Sequence, residues 1–274
     1  MAALVRRHDR DRYQTALFAP SAEREALLAI YAFNYEIARV RELVSEPMLG
    51  RIRLEWWREN ISDAFGAGPV RRHRVVEALA ETVRRRPMSR AHFEALIAAR
   101  EADLEAAPPA TLAALEEYAE ASSASLDYLA LEALGVGGAA ASAAAREVGI
   151  AYALAGLIRA LPLHAGSGRR YIPDDVAARA GLDLRDYERL KSPPALRAAV
   201  GEIAAVARRY LDTARERRAE MPRDALPALL PAVVAARSLA RLRRAGCDPY
   251  DPALRLPDPL QVWRLGVAAF LRRY

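Results

Sequence analysis

The sequence has 274 residues, of which 53% are hydrophobic and 28% are charged, and this composition excludes a disordered or fibrous chain. The single cysteine, Cys247, excludes an internal disulfide and a cysteine-based zinc site, and it favours a reducing, cytoplasmic location. A formal net charge of +6 is consistent either with an anionic partner or with a solvated arginine-rich surface. Residues 1–12 lack the apolar core of a secretory signal, and no apolar run of about 18 residues is free of charge, so we expect any membrane contact to be peripheral.

Apolar residues recur at helical spacing along almost the whole chain, and no segment alternates as a strand would. The fold class is therefore predicted to be all-α, and the short connections favour one domain over residues 1–274, a helical bundle whose centre can hold a ligand site. Pro162 is predicted to end a helix that starts near Ala140, which leaves residues 163–173 as a loop. The predicted helices, in chain order, cover about residues 20–47, 52–66, 75–86, 89–104, 111–134, 140–160, 174–180, 184–190, 195–220, 224–245 and 260–273.

Three segments have patterns that are more specific than composition. They are the run Tyr31-Ala32-Phe33-Asn34-Tyr35-Glu36-Ile37-Ala38-Arg39-Val40-Arg41-Glu42, the run Leu54-Glu55-Trp56-Trp57-Arg58, and the stretch from Gly149 to Leu182 that contains Gly168-Arg169-Arg170-Tyr171-Ile172-Pro173. In this order and at these separations, the segments resemble the squalene/phytoene synthase family of head-to-head prenyl synthases. The resemblance extends from about Asp9 to Tyr274 and implies an all-α bundle around a deep central cavity.

In active members of that family, two aspartate-rich motifs face each other across the cavity and hold the magnesium ions that bind substrate diphosphates. Aspartates four residues apart share one helix face, and magnesium prefers about six oxygen ligands. The matching positions of this chain are Ala38, Arg39 and Glu42 in the first motif, and Ala160 and His164 in the second. Only Glu42 keeps a carboxylate, so we expect no bound metal, no cofactor and no active synthase site.

The differences from the family's pattern extend beyond the acidic positions. Ala153 and Gly156 stand where the family usually has polar residues upstream of the second motif. A magnesium site would therefore have to be rebuilt from other carboxylates, for which Glu36, Asp174 and Asp175 are the candidates. Both metal-binding faces are predicted to be absent together.

Cationic and aromatic residues remain near the expected cavity. The candidates for binding a substrate or another anion are Arg39, Arg41, Trp57, Arg58, Arg159, Arg169, Arg170 and Tyr171. Arginine can bind a phosphate with two parallel hydrogen bonds, so a metal-free anion pocket is consistent with this set. The alternative for each arginine is an ordinary ion pair with a neighbouring glutamate. No nucleic-acid-binding motif is present, and arginine is spread along the whole chain, so we expect no nucleic-acid partner.

Local features resemble one branch of the family in particular, the assembly factors of mitochondrial respiratory complex I and their bacterial relatives. These features are Ala32-Phe33-Asn34, Val44-Ser45-Glu46, Glu117-Tyr118-Ala119-Glu120 and the run from Leu157 to His164. The resemblance implies a non-catalytic assembly factor whose partners are complex I subunits or assembly intermediates, with a prenyl or lipid-like anion as a further ligand. Two alternatives stay open: an active prenyltransferase that uses farnesyl or geranylgeranyl diphosphate, and an isoprenoid or lipid carrier.

The last predicted helix has an apolar face flanked by arginines. Its apolar residues are Leu260, Trp263, Val267, Phe270 and Leu271. Such a helix can lie on an acidic membrane surface, and it can equally pack back on the bundle. Residues 260–274 are therefore a candidate peripheral contact with the inner face of the cytoplasmic membrane. His164 has no second histidine or cysteine near it in sequence, which favours an ordinary loop histidine over a ligand.

Overall fold

The computed structural model describes residues 1–66, 69–105 and 107–274, and within these ranges it contains helices and no strand. The α-helices, in chain order, are α1 (Ala2–His8), α2 (Arg10–Ala16), α3 (Ser21–Ala38), α4 (Pro47–Phe65), α5 (Arg74–Arg85), α6 (Arg90–Ala102), α7 (Leu112–Ala119), α8 (Ser125–Ala133), α9 (Ala139–Gly166), α10 (Asp174–Ala180), α11 (Leu184–Glu188), α12 (Pro194–Glu216), α13 (Leu226–Leu229), α14 (Pro231–Arg244) and α15 (Gln261–Phe270). The all-α prediction is confirmed.

Local sequence explains where several helices begin and end. The Asp9 side chain accepts a hydrogen bond from the backbone N–H of Arg12 (3.1 Å), and Thr111 caps α7 in the same way. Pro47 occupies the first turn of α4, where a missing N–H is tolerated. Gly181 ends α10 in the left-handed region, with φ of 64°. These signals place the ends of helices, and the packing of their apolar faces supplies most of their stability.

The bundle is built around α9, which packs against α8, α12, α14 and the π-helical segment Glu120–Ala124. Gly149 is required where α9 meets that segment, because a Cβ atom there would lie 2.5 Å from Cα of Ala124. By length and composition α9 could span a membrane, as could residues 223–229 taken with α14, yet half of the apolar window of α9 is buried inside the bundle. Burial on this scale is what the central helix of a packed core shows.

Two of the predicted helix ends are wrong. α9 continues through Pro162 to Gly166, although proline removes one helical hydrogen bond. The last turn survives because the backbone N–H of Ser167 bonds to the Leu163 carbonyl (3.1 Å) and that of Arg169 to the His164 carbonyl (2.8 Å). The first predicted helix is also shorter than expected, since α3 ends at Ala38 and a 3-10 turn follows.

The N-terminal segment forms two helices that the sequence pattern did not predict. Residues 9–12 alternate in charge, and α1 and α2 nevertheless pack against α3. Arg12 is only 5% exposed as a result. The N-terminal segment therefore contributes a charged side chain to the interior of the bundle.

Candidate functional site

The first motif position lies at the end of α3. Ala38 is the last residue of the helix and is half-buried, whereas Glu42 is exposed on the following 3-10 turn, Val40–Leu43. The guanidinium of Arg39 lies 5.3 Å from the centre of the Tyr35 ring and 3.9 Å from the Glu36 carboxylate. The end of α3 therefore carries an arginine paired with Glu36, and Glu42 lies beyond it on an exposed turn.

The second motif position lies in the last two turns of α9. Ala160 is half-buried and brings no ligand atom, and the His164 ring lies 4.6 Å from the ring of Tyr171. Burial lowers the pKa of His164 to about 4, and the charge of Arg169 adds to this effect. The imidazole is therefore neutral at pH 7.

Tyr171 and Arg169 belong to a polar network centred on Asp103, which follows α6 and is 8% exposed. The hydroxyls of Tyr171 and Tyr118 each donate to Asp103 Oδ1 at 2.8 Å. Arg169 donates to the backbone carbonyl of Asp103 (2.7 Å), and Arg100 donates to its carboxylate (3.1 Å). This network joins the segment after α9 to α6 and α7, and Arg169, Arg170 and Tyr171 also line a pocket of about 290 Å³ beside it.

The tryptophan and arginine predicted on α4 have protein partners. Trp57 is 5% exposed and packs edge to face on Phe33, with ring centres 5.5 Å apart. Arg58 lies among three carboxylates, contacting Glu55 and donating to Glu94 (3.1 Å) and Glu101 (2.9 Å). These contacts tie α4 to α6.

The remaining predicted arginines are distributed over the surface. Arg170 binds Asp174 at 2.6 Å, and Arg159 binds Asp11 at 3.1 Å. Arg41 is half-buried and makes no ion pair with any residue that the structure describes. The predicted residues thus do not converge on a single pocket, and their role in binding an anion stays a prediction.

The described ranges contain no other cluster of carboxylates with the geometry of a metal site. Within residues 1–66, 69–105 and 107–274, no three histidine, cysteine or acidic side chains lie close enough together to hold a metal ion. Asp174 and Asp175 instead begin α10, where carboxylates favour the helix dipole, and they pair with Arg170 and Arg179. The side chains in the described ranges do not fit magnesium.

A groove of about 190 Å³ runs between α2, α9, α14 and the segment before α15. Its apolar floor includes Ile158 and Leu242, and its rim carries more arginine than acid. The rim arginines are Arg10, Arg159, Arg237, Arg241 and Arg255, against Asp11 and Asp258. Arg237 binds Asp258 at 3.2 Å, and Arg241 donates to the Leu256 carbonyl at 2.8 Å. A cationic rim over an apolar floor suits an amphipathic anion.

A buried charge pair lies beside this groove, and the only sign of it in the sequence is the mixed charge of residues 9–12. The Arg12 guanidinium lies 3.6 Å from the Asp127 carboxylate and donates to Ser123 Oγ at 3.2 Å. It also lies 4.5 Å from the centre of the Tyr152 ring on α9. Burial raises the pKa of Asp127 to about 7, because desolvation outweighs the attraction of Arg12. Charged and aromatic side chains therefore fill part of the bundle centre.

The fold is an all-helical bundle of the isoprenoid synthase type, and its two motif positions carry Ala38 and Ala160. A family profile described as squalene/phytoene synthase matches residues 5–265. The crystal structure of squalene synthase HpnC from Alicyclobacillus acidocaldarius superposes with a TM-score of 0.80, covering 90% of this chain and 93% of that one at 22% identity, which supports the fold.

Two curated relatives are informative. NADH dehydrogenase (ubiquinone) complex I, assembly factor 6 of Rattus norvegicus is 31% identical over 271 residues, which is 99% of this chain and 81% of the relative. Presqualene diphosphate synthase of Rhodopseudomonas palustris is 25% identical over 178 residues, which is 64% of this chain and 62% of the relative. The chain belongs to the squalene/phytoene synthase family.

Proposed function

We propose that this chain is a non-catalytic assembly factor for respiratory complex I, the NADH:quinone oxidoreductase. The observation that supports the proposal is the 31% identity to a complex I assembly factor along 99% of the chain. The match to a presqualene diphosphate synthase is weaker and covers 64% of the chain. On this proposal the partners are complex I subunits or assembly intermediates, at the cytoplasmic face of the membrane that holds the complex.

The chemistry of the motif positions supports the same reading. Ionisation of an allylic diphosphate needs metal ions that neutralise the leaving group. Ala38 and Ala160 supply no ligand, and His164 is enclosed beside Tyr171. Arg39 and Arg159, which flank these positions, are already paired with Glu36 and Asp11. This pattern is expected of a protein that keeps the fold to bind a partner or ligand and does not ionise an allylic diphosphate.

Deletion of the gene in its own host tests the assembly function. We expect the deletion strain to lose most NADH:quinone oxidoreductase activity and to accumulate partly assembled complex on native gels, while other respiratory enzymes stay unchanged. Expression of the wild-type chain should restore both measurements. Normal activity and normal assembly in the deletion strain would overturn the proposal.

Incubation with substrate tests the enzymatic alternative. Purified protein should convert neither farnesyl nor geranylgeranyl diphosphate in the presence of magnesium, because the described residues provide no metal face. A related active synthase, assayed in parallel, is the positive control. Turnover at ordinary enzyme rates would show that the chain is a prenyltransferase and would contradict the non-catalytic proposal.

The arginine-lined groove supports a second role, as a site for a prenyl or lipid-like anion. Farnesyl diphosphate is a suitable probe, with binding measured by calorimetry in the absence of magnesium. Hydrogen bonds to charged groups contribute about 1.5–3 kcal/mol, so Arg237→Gln and Arg241→Gln should each weaken binding roughly tenfold or more. Arg84→Gln on α5, outside the groove, is the matched control and should bind as the wild type does. Equal affinity of all four proteins would exclude the groove as the site.

A further inference from the structure

The last helix, α15, is attached to the bundle by a narrow inner face. Leu265 is fully buried and packs with Leu230 and Val234, and Ala268 and Ala269 border this contact. Small residues on the inner face bring the helix close to α14 and leave little apolar area to bury. The contact with the bundle therefore covers only one side of α15.

The opposite side of α15 presents large apolar side chains to solvent. Trp263 is 64% exposed and Phe270 is 84% exposed. Leu260, Val267 and Leu271 are exposed as well, and spacings of three, four and seven residues place all five on one helix face. We call this the outer face of α15. Soluble proteins rarely leave large apolar side chains together in water, so a surface of this kind marks an interaction site.

Both ends of α15 are held, which fixes the orientation of the outer face. Before the helix, Asp258 pairs with Arg237 on α14 and with Arg264 in α15, at 3.2 and 3.3 Å. After it, Tyr274 is 3% exposed and its hydroxyl donates to the Ala214 carbonyl on α12 at 3.1 Å. Because these contacts hold both ends, the outer face stays directed away from the bundle.

The charges around the outer face are cationic. Residues 259–274 contain three arginines and no acidic residue. Arg264 is engaged by Asp258, whereas Arg272 and Arg273 are exposed and pair with no acid in the described part of the chain. Arginines beside an apolar face attract anionic lipid headgroups, and tryptophan favours the boundary between headgroups and acyl chains.

We infer that α15 docks in the plane of an anionic phospholipid bilayer. In this arrangement Trp263 and Phe270 enter the headgroup boundary, and Arg272 and Arg273 lie at the level of the lipid phosphates. A protein partner would be expected to find polar side chains on the surface it covers, since protein interfaces carry about one hydrogen bond per 100–200 Å². The outer face has no polar side chain, which favours lipid as its occupant.

Vesicle sedimentation of the full chain tests the inference, using phosphatidylcholine alone and phosphatidylcholine mixed with phosphatidylglycerol. The wild type should bind the mixed vesicles more tightly. The double variant Trp263→Ser/Phe270→Ser should lose about tenfold or more in partitioning, since burial of each aromatic side chain is favourable. Arg272→Gln/Arg273→Gln should lose about fivefold for each arginine on anionic vesicles only.

Matched controls separate this effect from general changes in surface polarity. Met48→Ser/Ile52→Ser alters another apolar pair of similar exposure, 58% and 59%, on α4. Arg6→Gln/Arg7→Gln removes two exposed arginines on α1. Both control variants should partition within about twofold of the wild type, on the premise that surface substitutions away from a site have small effects. Circular dichroism and thermal unfolding would verify that each variant is folded.

A second measurement, of tryptophan fluorescence, compares the wild type with Trp263→Phe and does not depend on the double variant. The fluorescence difference between the wild type and Trp263→Phe isolates the emission of Trp263, which should shift to the blue and be quenched by brominated lipids. Unchanged emission, absent binding to anionic vesicles, or equal binding of Trp263→Ser/Phe270→Ser would overturn the inference. A wild-type dimer that this double variant abolishes, without vesicle binding, would assign the outer face to a second copy of the chain.

Discussion

We expect the buried carboxyl group of Asp127 to make the stability of this protein dependent on pH. Asp127 is fully buried, and burial raises its pKa from the ordinary 3.8 to about 7 despite the Arg12 guanidinium 3.6 Å away. Because the folded-state pKa lies above the unfolded value, the folded protein holds a proton between about pH 4 and pH 7 that the unfolded chain releases. The contribution of Asp127 to the free energy of unfolding is therefore fully present below about pH 4, and it is lost as the pH rises through about 7.

Substitution of Asp127 by asparagine removes this proton and keeps the shape of the side chain. The shift from 3.8 to about 7 corresponds to roughly 4 kcal/mol, with a slope of at most about 1.4 kcal/mol per pH unit. We therefore expect the free energy of unfolding of the wild type, minus that of Asp127→Asn, to fall by a few kcal/mol between about pH 4 and pH 8.

Urea unfolding followed by circular dichroism, at a series of pH values, measures this difference. Asp9 also has a pKa raised by burial, but its contribution is present in both proteins and largely cancels. A difference that stays constant with pH would show that burial does not shift the pKa of Asp127. A difference that grows with pH would show that attraction to Arg12 outweighs desolvation, and either result would contradict the predicted pH dependence.

Three further predictions concern the core and the motif positions. Gly149→Ala should destabilise the fold by about 2 kcal/mol or more, since the new Cβ would lie 2.5 Å from a backbone atom. Gly156 lies on the same helix with open space around it, so Gly156→Ala should be neutral or slightly stabilising. Urea unfolding compares the two. Tyr171→Phe should cost about 1–2 kcal/mol by the same assay, because a buried carboxylate loses one of its donors, and an unchanged midpoint would contradict this. Ala38→Asp/Ala160→Asp should form no prenyl product from farnesyl diphosphate and magnesium, and any measurable product would refute the view that both metal faces are lost.

Local sequence predicts much of this fold because helices follow from spacing and from end signals. The predicted helices at 75–86 and 174–180 agree closely with α5 and α10, whose apolar stripes and terminal residues are all in the local sequence. The helix end predicted at Pro162 is wrong because hydrogen bonds beyond the proline close the last turn. A prediction based on the proline alone does not take into account the hydrogen bonds that form after it in the chain.

The sequence alone shows the helical class, alanine at positions 38 and 160, and the apolar character of residues 260–271. The partners of the charged groups follow from the tertiary structure alone. Arg12 meets Asp127 more than a hundred residues away, and the network of Asp103 draws on segments before and after α9. The two differ because a helix end depends on its neighbours in the chain, whereas the environment of a charge depends on which helices pack around it.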